Sequence, residues 1–195
     1  MKKFLDFSFD KINFLAILIL IVSVFWAKLF NVTEIQENTI YENIAIVPLL
    51  LGIILCYKSK NYKVFFNFVA LILFLAIARE FSYGRVPFCA IEGSQGHDFY
   101  PWSHYKYGYL ANIFVGIYII GGILYGLINK IWIDIIEILK KIPIPFWNFL
   151  MVFICIVIQE YSEHYLENTV IEEIMEFTIY TLTFTIIWIY YKKSK

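Results

Sequence analysis

Glu160, Glu163 and His164 are the residues in this chain whose types and spacing come closest to a chemical site. On a helix, the i, i+3 and i, i+4 intervals put them on one face. A carboxylate and an imidazole one turn apart can ligate a divalent metal, or serve as acid and base. The order differs from the H-E-x-x-H of a zinc protease. Two acids at a helix C-terminus oppose the helix dipole, so they call for a partner: Arg79, Arg85 or a metal. A second acidic group opens the last apolar stretch, Asn168-Thr169-Val170-Ile171-Glu172-Glu173-Ile174-Met175-Glu176. Thr169 with Glu172 fits the S/T-x-x-E capping box. Glu173 suits a first helical turn. Glu176 lies a turn deeper, among apolar and aromatic residues and Thr181, Thr183 and Thr185, and capping does not explain it. Glu160 and Glu176 are therefore expected to be the buried acids. Glu160, His164 and Glu176 are the candidate catalytic and metal-binding set.

Both arginines fall in Ala78-Arg79-Glu80-Phe81-Ser82-Tyr83-Gly84-Arg85. An arginine fork grips carboxylate or phosphate in a way that a lysine does not. A plainer reading is a capped helix end, with Gly84 as the C-cap and Arg79 complementing the dipole. The loop that follows, 84–107, carries Pro87, Gly93, Gly96 and Pro101, which forbid a long helix. Its aromatic density suits a membrane interface; alternatively it is a lid that brings Asp98 and His104 over a site. The candidate ligand-holding residues are Arg79, Glu80, Arg85, His104 and Glu173.

The elements that must position these groups follow from composition. Of the 195 residues, 61% are hydrophobic and only 16% charged, against roughly 45–50% and about 25% in an average soluble domain. Nineteen Phe, 15 Tyr and 5 Trp exceed what one small soluble core can hide. This excludes a soluble globular enzyme, a disordered chain and a disulfide-rich secreted domain. Cys56, Cys89 and Cys155 form no C-x-x-C motif. The net charge of zero leaves no basic footprint for nucleic acid.

A membrane helix needs roughly 20 mostly apolar residues. Stretches near 12–30, 40–57, 64–82, 108–129, 144–163 and 173–191 meet or approach this, with Pro48 placed to kink the second. Bulky residues after the first stretch argue for a retained helix rather than a cleaved signal. Residues 131–141 read as an amphipathic helix on the membrane surface, with Asp134, Glu137 and Lys141 on one face. Cytoplasmic loops carry excess Lys and Arg. With the N-terminus inside and six crossings, every cation except Lys28, Arg79, Arg85 and Lys106 falls inside. Every acid except Asp6, Asp10, Asp134 and Glu137 then falls outside. The expectation is an all-α polytopic membrane bundle, a single domain over 1–195, with about six transmembrane helices and both termini cytoplasmic. Its location is the inner cell membrane, and its polar site lies on the outer face.

The run Arg79-Glu80-Phe81-Ser82-Tyr83-Gly84-Arg85, a polar loop with His104 and the late Glu172–Glu176 group together resemble uncharacterised bacterial multi-pass membrane proteins. These share an element reading roughly E-x-S-W-G-Q-R. Here Tyr83 stands for the tryptophan, and one residue fewer separates Gly84 from Arg85. The resemblance implies no activity. It implies that Glu80, Ser82, Gly84, Arg85 and the Glu172–Glu176 group belong to one site.

Three functions compete. An accessory or assembly protein would use the outer charges as ties between helices. A membrane-embedded hydrolase or transferase would use Glu160, His164 and Glu176 with a divalent metal, and Arg79 and Arg85 to hold a lipid or lipid-linked substrate at the outer leaflet. A small cation or proton transporter would use the acidic vestibule, but no helix centre carries the ionisable residue that coupled transport usually needs.

Overall fold

The computed structural model describes residues 4–32, 40–85, 91, 100–166 and 168–195. Among these it is an all-helical bundle. Its helices are α1 (Asn13–Leu29), α2 (Ile40–Lys58), α3 (Lys63–Glu80), α4 (Tyr109–Ile128), α5 (Ile131–Lys141), α6 (Phe146–Tyr161) and α7 (Thr169–Ser194). Tyr109–Ile128, and α6 together with its extension to Leu166, are long and apolar enough to cross a membrane; α1 is a shorter apolar helix. α2 runs through Pro48.

α7 is the axis, and α1, α2 and α6 pack directly against it. It begins ahead of the apolar stretch 173–191, and its cap is Asn168, not the expected Thr169. Asn168 Oδ1 accepts from Ile171 N at 3.1 Å. Asparagine caps a helix start as well as threonine does, and here it stands one residue earlier, so the box with Glu172 is not used. The preceding turn is closed by Ser162, whose hydroxyl donates to Asn168 O at 2.8 Å.

Two left-handed residues set the sharp entries. Tyr62 (φ 52°) precedes α3, and Lys130 (φ 52°) turns α4 into α5. α5 is amphipathic as expected, and it is docked on α3: Asp134 Oδ2 accepts from Phe65 N at 3.1 Å, satisfying an amide of the first turn of α3. Glu137 pairs with Lys141 on the same face at 2.5 Å.

The lysine-rich end has a polar knot of its own. Asn148 Nδ2 donates to Asn13 Oδ1 and to Thr185 Oγ1, both at 2.8 Å, which ties α6, α1 and α7. Thr178 and Thr181 donate back to the carbonyls of Ile174 and Phe177, so their hydroxyls are satisfied while buried. A two-residue parallel bridge, β1 (Leu5–Asp6) with β2 (Ile144–Pro145), joins the N-terminal segment to the start of α6. Asp6 also pairs with Lys193 at 2.7 Å.

Candidate functional site

The last turn of α3 and the first half of α7 meet in a charged cluster at the end opposite the lysines. Arg79 Nε and Nη2 donate to Glu80 Oε1 at 3.3 and 3.2 Å. Arg79 Nη2 also donates to Tyr180 Oη at 3.0 Å and pairs with Glu176 Oε1. Tyr180 Oη stands 2.5 Å from Glu80 Oε1 and 2.7 Å from Glu176 Oε1. A hydroxyl has a single hydrogen, so Tyr180 donates to one carboxylate at a time while accepting from Arg79. The carboxylates are the buried members, with 5% of the Glu80 side chain and 10% of the Glu176 side chain exposed; Arg79 is half open at 51%. One guanidinium thus serves two acids on two helices.

The backbone beside the cluster is strained. Ser82, Tyr83 and Gly84 follow one another in the left-handed region at φ 46°, 53° and 92°. Glycine adopts this freely, whereas the serine and tyrosine do so at a cost of order 1 kcal/mol each. Gly84 N donates to Phe81 O at 2.8 Å and closes this short 3-10 turn. The expected C-cap is therefore part of a three-residue left-handed turn. Arg85 caps it, half-buried.

Glu160, expected to be a buried acid, is exposed. Its side chain is 61% open and that of His164 63%, with Nε2 to Oε2 at 3.5 Å. The helix widens to a π turn over Ser162–Leu166, and Glu160, Glu163 and His164 all face outward. Arg79 is held by Glu80 and Glu176, and among the described residues neither Glu160 nor Glu163 pairs with an arginine. Glu160, Glu163 and His164 offer donor atoms all within 4.8 Å of one another. Glu176 belongs to the arginine cluster and not to this group, so the sequence-derived set Glu160, His164 and Glu176 divides between two places.

Glu172 lies between the two clusters. Its partial burial and the neighbouring Glu163 raise its pKa, while Arg79 and His164 pull it the other way. Glu173 is half-buried, within electrostatic reach of Tyr41 and Tyr180. His104 ends a 3-10 turn, Trp102–His104, exposed and stacked on Tyr100 with ring centroids 4.2 Å apart. Asp98, the other half of the expected lid, lies outside the described residues, as do Cys89 and His97. Of the residues the resemblance grouped, the structure brings Glu80 and Glu176 together.

Tyr180 was missed by sequence reasoning. The signal was available: it lies four residues after Glu176, on the same helical face. Three cavities are lined by other residues: an apolar one by α3, α5, α6 and α7, one between α1 and α7, and one at the lysine end. The chain matches no protein-family model, no curated protein and no solved structure.

Proposed function

We propose that this chain is a six-span protein of the inner cell membrane, with both termini cytoplasmic, and that it works as an accessory or assembly component. The observation that carries the accessory role is the pairing of Arg79 with both Glu80 and Glu176 across α3 and α7. A guanidinium shared by two carboxylates is a tie between helices and a poor grip for a substrate phosphate.

The membrane reading draws on an inverted burial pattern. Asn13, Asn148, Thr178, Thr181, Thr185, Glu80 and Glu176 are buried, while Phe114, Ile117, Ile120 and Phe153 are exposed. Polar groups at membrane depth face the bundle interior, and large contiguous apolar surfaces mark contact with lipid or protein. The lysine end of the bundle would face the cytoplasm. Reporter fusions after Lys60, Lys141 and Lys195 should then read cytoplasmic, and fusions after Asn31 and Leu166 external.

The accessory role is tested with Arg79→Gln, Glu80→Gln, Glu176→Gln and Tyr180→Phe. Thermal stability in detergent and the amount of protein in the membrane should fall together across the four. A variant with wild-type stability and a lost cellular phenotype would instead favour chemistry at the cluster.

One observation favours a second reading, a divalent-metal-dependent hydrolase or transferase on a lipid-linked substrate at the outer leaflet: the three donors of Glu160, Glu163 and His164 within 4.8 Å. Stoichiometric metal in purified protein, lost in Glu160→Gln/His164→Ala, would support it. Metal content equal in both would remove it.

A further inference from the structure

The cavity with the most uniformly apolar lining is a groove of about 380 Å³ lined by α3, α5, α6 and α7. Its lining includes Phe66, Val69 and Leu73 of α3, Ile138 of α5, Val152 of α6 and Ile187 of α7. Thr183 and Tyr190 are the polar exceptions in its lining. Along α3 it extends from Phe65 to Leu73, a rise of about 12 Å. That is close to one leaflet of a hydrocarbon core about 30 Å thick. It starts at the lysine end.

The charge at that end is arranged asymmetrically. Two acids lie near that end, Asp134, which accepts from the Phe65 amide, and Glu137, which pairs with Lys141. The segments that form the mouth also carry Lys63, just before Phe65, and Lys140, just after Leu139, both exposed. Basic pockets between membrane helices on the cytoplasmic side bind anionic headgroups.

We propose that this groove holds one acyl chain of an anionic phospholipid from the inner leaflet, with the headgroup phosphate at the Lys63 and Lys140 end. The groove is an apolar slot one leaflet deep beside two cations, and a phospholipid combines those features in one molecule. The inference rests on the membrane reading above.

The test is native mass spectrometry of the full chain from detergent micelles doped with phosphatidylglycerol or, separately, phosphatidylcholine. Wild type should retain one phosphatidylglycerol. Lys63→Gln/Lys140→Gln should weaken that retention roughly 10- to 30-fold and leave phosphatidylcholine unchanged. Val152→Trp fills the slot and should abolish retention of both lipids. Val22→Trp, on an exposed face of α1, should retain phosphatidylglycerol as wild type does. Equal retention by Val152→Trp and wild type overturns the proposal, as does a wild type that keeps no lipid. A Val152→Trp variant that loses a second copy of the chain rather than a lipid also overturns it. Extraction of native membranes with alkaline carbonate separates the two claims. A chain that leaves the membrane with the peripheral proteins defeats the membrane reading itself; a chain that stays but binds no lipid defeats only the groove.

Discussion

α4 and α7 are both long helices, and they exchange the places that a water-soluble protein would give them. α4 (Tyr109–Ile128) is apolar apart from Asn112 and three tyrosine hydroxyls, yet Gly126 is its one buried residue. α7 carries Glu172, Glu173, Glu176 and a series of threonines, yet it forms the axis and buries Val170, Glu176, Thr178, Thr181, Leu182 and Thr185 among others. The groups with hydrogen-bonding demand on α7 are thus buried beside its apolar residues, while the apolar α4 is left outside. That is the ordering expected where the surrounding medium is itself apolar, because a polar side chain then gains only by finding partners inside the protein.

The sharpest way to break this contrast is at the partners α7 holds. Arg79→Ala leaves Glu80 and Glu176 buried around Tyr180 without a cation. The expected loss of stability is roughly 2–4 kcal/mol, below the full cost of breaking a buried pair because the guanidinium is half open. Ile117→Ala, on the exposed face of α4, should change stability by less than about 0.5 kcal/mol. Denaturation of both variants in the same micelles measures the difference directly.

A substitution on α4 sharpens the comparison from the other side. Ile117→Lys should disfavour membrane insertion by about 2.5–3.5 kcal/mol if α4 faces lipid, and should be nearly neutral if it faces water. Membrane integration of the full chain carrying Ile117→Lys, beside wild type, separates the two. Asn148→Ala removes the donor shared by Asn13 and Thr185 and should cost about 1–3 kcal/mol, read by thermal unfolding.

A smaller effect is expected at the polar periphery. The hydrogen bond from Lys193 and those from Ser8 lower the Asp6 pKa to about 2, against about 3.9 in an unfolded chain. A depressed carboxylate pKa contributes stability that is fully present above the unfolded value and is lost as pH falls through the folded one. The stability gap between wild type and Asp6→Asn should therefore be constant above pH ~4 and close between about pH 4 and 2. A gap that persists at the acid end would mean that the Asp6–Lys193 contact is not what separates them. Smallest of all, Glu160→Gln/His164→Ala should move stability by under about 0.5 kcal/mol, since both groups are solvated.

How much of this was legible in the sequence depends on whether a residue's fate is local. The helices are local, since long apolar runs bounded by Asn, Gly and Pro have few other options. The burial of Glu176 was legible because only apolar, aromatic and hydroxyl side chains follow it as far as Tyr191. The cap at Asn168 differed from expectation by one residue, within the interchangeability of capping side chains. Glu160 was misread for a non-local reason. One arginine fork had several acids to choose from, and only the packing of α3 and α7 on α2 decides that Glu80 and Glu176 take it. Tyr180 and the Asn13–Asn148–Thr185 knot depend on which helices are neighbours, and the hydrophobic pattern does not encode that when every face is apolar. The left-handed turn at Ser82 and Tyr83 carries no sequence signal beyond Gly84.

The central claim is that the Arg79 cluster ties α3 to α7, and charge exchange tests it most directly. Arg79→Glu, Glu176→Arg and the double exchange should be compared by thermal unfolding in one detergent. Each single reversal places like charges together and should be strongly destabilising, and the double exchange should recover at least half of the combined loss. Single reversals with wild-type stability, or a double exchange no better than the sum of its parts, would contradict a structural tie.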